Sequence, residues 1–194
     1  VVHSEMPERS FRDEGGVMHG FQLWVNLPRR DKMMPPRYQE VPSADIPEAT
    51  TEDGKVRVRV IAGEALGQAA VIDTRTPIMF QHWQVQPGGR ASQMLPAGYQ
   101  GFAYVFDGAG RFGADGDERH VSSGEMAIFA PNGDAIALRV DDDAEAPMDM
   151  LLVAGVPLRE PLVRYGPFVM STKQEILDAV RDFQSGRMGR ISRS

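Results

Sequence analysis

The sequence predicts an all-β protein, folded as a β-sandwich or barrel. Two observations carry that prediction. Short segments alternate apolar and polar residues, the period of a strand with one buried face. Clusters of Gly, Pro, Asn and Asp separate those segments at the spacing of successive short strands. Composition agrees: 42% of the 194 residues are hydrophobic and 25% charged, ordinary globular usage and too apolar for a disordered chain.

Taken in order, Met18–Leu27 reads as a first strand, with Phe21, Leu23 and Val25 on one face and Gln22, Trp24 and Asn26 on the other. Pro28 to Pro47 holds five prolines. Proline gives no ladder donor, so this stretch reads as an extended connector, with a domain boundary near Pro42–Pro47. Lys55 to Val60 alternates Val56, Val58 and Val60 with Lys55, Arg57 and Arg59. Further strands are expected at Ala69–Asp73, Ile78–Val85, Phe102–Phe106, Met126–Phe129, Ala135–Val140 and Met150–Val153. Turns fall at Pro87-Gly88-Gly89, Asp107-Gly108-Ala109-Gly110, Ala114-Asp115-Gly116-Asp117 and Pro131-Asn132-Gly133-Asp134. One helix closes the pattern. Thr172 and Glu175 have capping-box spacing, Ile176, Leu177, Val180 and Phe183 form an apolar stripe, and Gly186 suits the residue after the cap.

Charge and cysteine content exclude several classes. The formal net charge is -6, the wrong sign for a nonspecific nucleic-acid binder. No apolar run reaches the ~18 residues of a membrane helix. With no Cys there is no disulfide, thiol nucleophile or thiolate metal site, and a cytoplasmic location is expected. No G-x-S-x-G elbow or phosphate-binding glycine loop is present. The chain opens Val1-Val2-His3 without an initiator Met and reads as incomplete.

Four histidines are candidates for chemistry. His3 and Glu5 stand two apart, so on a strand they share a face, and an imidazole and a carboxylate can converge on one metal. Taken alone, H-x-E also describes a surface pair. His82, between Gln81 and Trp83, reads as a satisfied or partly exposed strand histidine, and His120 as a solvated hairpin residue. His19 points either toward the His3 site or away from it.

Longer motifs go further. His3-Ser4-Glu5-Met6-Pro7 resembles the HSEMP segment of the pirin family. His19-Gly20-Phe21-Gln22-Leu23-Trp24-Val25-Asn26-Leu27-Pro28 and Met34-Pro35-Pro36-Arg37-Tyr38-Gln39-Glu40 resemble it too. So do Gly63-Glu64-Ala65-Leu66-Gly67, Pro157-Leu158-Arg159-Glu160-Pro161-Leu162 and Gly166-Pro167-Phe168-Val169-Met170. The resemblance runs along nearly the whole chain in the family's order.

The resemblance implies a bicupin, two jelly-roll barrels side by side with a short C-terminal helix. The chain then looks like the C-terminal two-thirds of a pirin. Residues 1–41 would be the last strands of a metal-binding N-terminal cupin, 42–48 a linker, 49–170 a metal-free C-terminal cupin, and 171–194 the helix and tail. The family's mononuclear non-haem iron is held by three His and one Glu. His3 and Glu5 would be two of these ligands, with two further His ligands expected upstream of this chain, because no H-x-H pair occurs in it. In the C-terminal barrel, Ser92, Gln93 and Met94 stand where imidazoles would be needed. The implied activity is that of a quercetin 2,3-dioxygenase, with Glu5 as both ligand and acceptor of the flavonol hydroxyl proton. The alternative is a metal- or redox-dependent cofactor that regulates a transcription factor or metabolic enzyme. The expected partner is a flavonol-like small molecule or a protein, with no direct nucleic-acid contact and no membrane.

Overall fold

A computed structural model describes residues 2, 3, 6, 7 and 9–189. The chain divides into two compact units, residues 38–157 and residues 1–37 together with 158–194.

The unit of residues 38–157 is built from β1 (Glu48–Thr50), β2 (Val56–Ala62), β3 (Glu64–Ala65), β4 (Gln68–Ala69), β5 (Ile78–Val85), β6 (Arg90–Met94), β7 (Gln100–Asp107), β8 (Ala109–Phe112), β9 (Arg119–Ser122), β10 (Met126–Ile128), β11 (Ala135–Arg139) and β12 (Met148–Gly155). A six-stranded antiparallel sheet runs β1-β2-β5-β12-β7-β10, and a four-stranded sheet runs β6-β11-β8-β9. Chain neighbours lie in different sheets at several points, the double-sheet jelly-roll arrangement.

Alternation places the core. Val58, Trp83, Met150 and Val105 form one row across β2, β5, β12 and β7, and all four are fully buried. Phe112, Val121, Ile136 and Leu138 cover this row from the other sheet. The interior also holds amides. Trp83 Nε1 donates to Gln81 Oε1 at 2.9 Å, and Gln81 Nε2 donates to the Glu64 carbonyl at 2.8 Å. Gln93 Nε2 donates to the same carbonyl at 3.2 Å and to the Met94 carbonyl at 2.8 Å. These partners make burial of the two glutamines tolerable. Gly108 turns the chain between β7 and β8 at φ 67°, where a side chain would collide with the Pro147 carbonyl.

In the unit of residues 1–37 and 158–194, α1 spans Arg9–Glu14, β13 (Val163–Tyr165) pairs with β14 (Phe168–Met170), and α2 spans Lys173–Gln184. Gly166, at φ 54°, and Pro167 join the two strands, with glycine first as in a II′ turn. The capping box of α2 is formed. Thr172 Oγ1 accepts from Glu175 N, and Glu175 Oε2 accepts from Thr172 N. At the other end Gly186 N donates to the Phe183 carbonyl and Arg187 N to the Asp182 carbonyl, a Schellman motif. Ile176 is buried, and Phe183 meets the Phe168 ring edge-on at 6.1 Å.

Two expected strands differ. Met18–Leu27 is irregular, because no strand among the described residues lies beside it to supply ladder partners. Trp24 is 60% exposed there, under the Arg164 guanidinium at 5.5 Å. Ala69–Asp73 contributes only β4, since the two-residue turn at Leu66-Gly67 pairs it with just Glu64 and Ala65.

Candidate functional site

His3 is exposed and is itself in neither helix nor strand. Glu5 lies outside the described residues, so the geometry of the expected His3–Glu5 donor pair lies outside them as well. The other histidines stand in different settings. The His19 ring lies 5.1 Å from that of Phe21. His82 Nε2 is 2.7 Å from Asp149 Oδ1 on the neighbouring strand, with the Phe106 ring 5.5 Å away. His120 Nδ1 is 3.5 Å from Ser122 Oγ at an exposed position. Among the described residues, no three His, Cys, Asp or Glu side chains gather as a metal site. His3 and Glu5 supply one imidazole and one carboxylate, donor types that fit a first-row metal as part of a larger set.

The family-like motifs near the chain's two ends do meet. Arg29 N donates to Glu160 Oε2 at 2.7 Å, and its guanidinium holds Glu175 Oε1 at 2.7 and 2.8 Å. Lys32 Nζ donates to Asn26 Oδ1 and to the Val169 carbonyl, the latter at 3.1 Å. Burial pulls the Lys32 pKa down, against the opposing pull of Glu160 and Glu175. Partial burial acts to raise the Glu175 pKa. The Arg29 hydrogen bond and the N–H groups of Ser171 and Thr172 outweigh that and leave it below the ordinary carboxyl value. Arg29 thus links Glu160 to the start of α2, and Lys32 links Asn26 to β14. These ties position backbone and offer no reacting atom.

The four-stranded sheet carries a second ionic cluster. Arg111 Nε holds both oxygens of Asp141, at 2.9 and 3.1 Å, and Arg139 bridges Glu118 and Asp141. The Arg111 hydrogen bond is the main reason the Asp141 carboxyl titrates below its ordinary range. The Arg139 hydrogen bond does the same for Glu118.

A cavity of about 620 Å³ opens where the last strands of the two sheets face each other, between β9 and β10. Buried Phe112 and Val121 floor it, and Arg119, His120, Glu125 and Ile128 stand on its walls. In the sequence His120 has the setting of a hairpin residue, and Arg119, Glu125 and Ile128 belong to no motif. The available signal was the pair Met126 and Ile128, two apolar residues at strand spacing with no charge between them.

Residues 80–189 match the family model of the Pirin C-terminal cupin domain. A pirin-like protein of Arabidopsis thaliana is 42% identical over 97% of this chain and 60% of its own length. Pirin of Mus musculus is 40% identical over 97% of this chain and 62% of its own. The chain thus spans about 60% of the length of these relatives. The crystal structure of a quercetin 2,3-dioxygenase from Acinetobacter baumannii superposes with a TM-score of 0.77 and 33% identity, over 87% of this chain and 56% of that one. A Geobacillus kaustophilus crystal structure gives 0.62 and 34%, over 71% of this chain and 54% of that one. No helix among the described residues is long and apolar enough to cross a membrane.

Proposed function

This chain belongs to the pirin family and has a cupin fold, and on that premise we propose that the protein is a metal-dependent oxygenase of the quercetin 2,3-dioxygenase type. Support for the reading is the 0.77 TM-score at 33% identity to the A. baumannii quercetin 2,3-dioxygenase. His3 and Glu5 are the residues we assign to the site. An imidazole and a carboxylate are suitable donors to a first-row metal, iron in this proposal. The remaining donors belong to the part of the family pattern that this chain does not span. A bound metal would supply a template for flavonol and oxygen. The chain's own contribution is a neutral His3 imidazole to hold the metal. The Glu5 carboxylate would take the flavonol hydroxyl proton.

The test is made on the protein carrying this sequence. Bound metal is counted by mass spectrometry and O₂ uptake is followed with quercetin, for the unaltered protein and for His3→Ala and Glu5→Ala. About one iron per chain, with uptake lost in both variants, is the expected result. Uptake that survives both substitutions sinks the residue assignment. Iron bound without uptake turns the reading to a metal-dependent regulatory cofactor, and no bound metal overturns both.

A further inference from the structure

We propose that the free edge of β10, with the groove beside it, docks an extended peptide segment that alternates apolar and basic residues. The proposal is independent of the metal-site reading and concerns residues 38–157 alone.

The strand register supplies the hydrogen-bonding groups. Phe129 N donates to the Gly101 carbonyl at 3.0 Å, and Val105 N donates to the Glu125 carbonyl at 3.1 Å. Residues 125 and 129 therefore turn their polar backbone groups toward β7. Strand periodicity then turns the N–H and C=O of Met126 and Ile128 away from it. β10 ends its sheet, and no strand among the described residues pairs on that side. Exposed edges in monomeric proteins are commonly blunted by lysine, proline or a bulge. Met126–Ile128 carries no lysine, proline or bulge, and its three residues limit the open edge to the outward groups of Met126 and Ile128. Met126 is 50% exposed and Ile128 80% exposed.

The groove sets the size and the charge of the occupant. Its volume of about 620 Å³ lies in the range of ligand sites. It is open along Ile128, so it fits a chain passing through better than an enclosed small molecule. Phe112 and Val121, both largely buried, close its floor with apolar side chains, and Met126 and Ile128 add exposed apolar surface. Arg119 lies 3.8 Å from Asp117, which offsets the rim's cation. Glu125 uses Oε2 to accept from Ser122 N, leaving Oε1 available to a ligand. With a net charge of -6, the protein's field also favours a basic partner. The recognition mode is strand addition, in which the backbone supplies affinity and alternate side chains supply selectivity.

The probe is a fluorescein-labelled Val-Lys-Val-Lys-Val-Lys peptide, titrated against this chain by fluorescence anisotropy. A Val-Glu counterpart and a Val-Lys peptide N-methylated at alternate residues serve as comparators. Ile128→Pro removes an outward N–H without touching a bond to β7, and Glu125→Gln removes the groove carboxylate. Saturable binding is expected, at least tenfold weaker for the Val-Glu peptide, the N-methylated peptide and Ile128→Pro, with a smaller Lys-over-Glu preference in Glu125→Gln. If Ile128→Pro does not fold, the N-methylated peptide makes the same test on the unaltered chain. Absence of saturable Val-Lys binding at millimolar peptide overturns the proposal. So does undiminished binding by the N-methylated peptide or a folded Ile128→Pro, equal binding of the Val-Glu peptide, or an unchanged preference in Glu125→Gln.

Discussion

Leu66 holds a backbone conformation that L-residues with side chains rarely adopt. Its φ is 45°, followed by 76° at Gly67, in the two-residue turn that joins β3 to β4. Two successive positive φ values are the signature of a type I′ hairpin, for which Asn-Gly is favoured. Leucine bears the steric cost there and stands 38% exposed, so little packing offsets it. Leu66→Asn is therefore expected to stabilise the protein by about 0.5–1 kcal/mol. Urea denaturation should show a higher midpoint with an unchanged slope, and a lower midpoint would refute the strain argument. The turn's residues were legible only as part of a family-like motif, not as a turn, because Leu-Gly has no turn chemistry of its own to announce it.

Among the elements, α2 was the easiest to read, since its start and stop signals are local. Thr172, Glu175 and Gly186 lie within three or four residues of the groups they satisfy. Strands β2 and β5 were legible for a similar reason, as each buries one face completely. β6 was missed because its inward residue is Gln93, a polar side chain whose amide finds partners only once the barrel has closed. Met18–Leu27 failed in the opposite sense. Its pattern suits a strand, but a strand exists only beside another. Glu175 carries the prediction at this scale. Its carboxyl titrates below its unfolded value near 4.5. Its contribution to stability is thus complete above that value and is lost as pH falls through the lower folded one. Glu175→Gln keeps the cap's acceptor and removes the charge. The unaltered chain should protect α2 amides from exchange better than the variant at pH 7, with the difference shrinking as pH falls below 4.5 and through the lower folded value. A gap that persists in acid would mean that ionisation of Glu175 is not its source.

For the whole molecule, the division into two units follows from which parts of the chain bond to each other. Arg29 alone reaches both Glu160 and Glu175, across more than 130 residues of sequence. Arg29→Ala should lower exchange protection in α2 while leaving the buried rows of β5 and β12 protected. Equal loss in both regions would show that the two units do not open separately. Such long-range ties explain the limits of the sequence. The His3 and Glu5 motif could be seen because its residues lie two apart in the chain, and so could the family it resembles. The groove at β10 could not, since it exists only where the ends of two sheets, made from β8, β9 and β10, come to face one another.

The two tryptophans fall one in each unit, and their surroundings are opposite. Trp83 has no solvent exposure, with its indole N–H bonded to Gln81 inside the barrel, whereas Trp24 is 60% exposed beneath Arg164. The protein therefore contains two optical reporters of distinct colour. One emits toward the blue from an apolar interior, and the other emits toward the red and lies open to iodide. Each unit can be watched as it unfolds, by its own light and without a label.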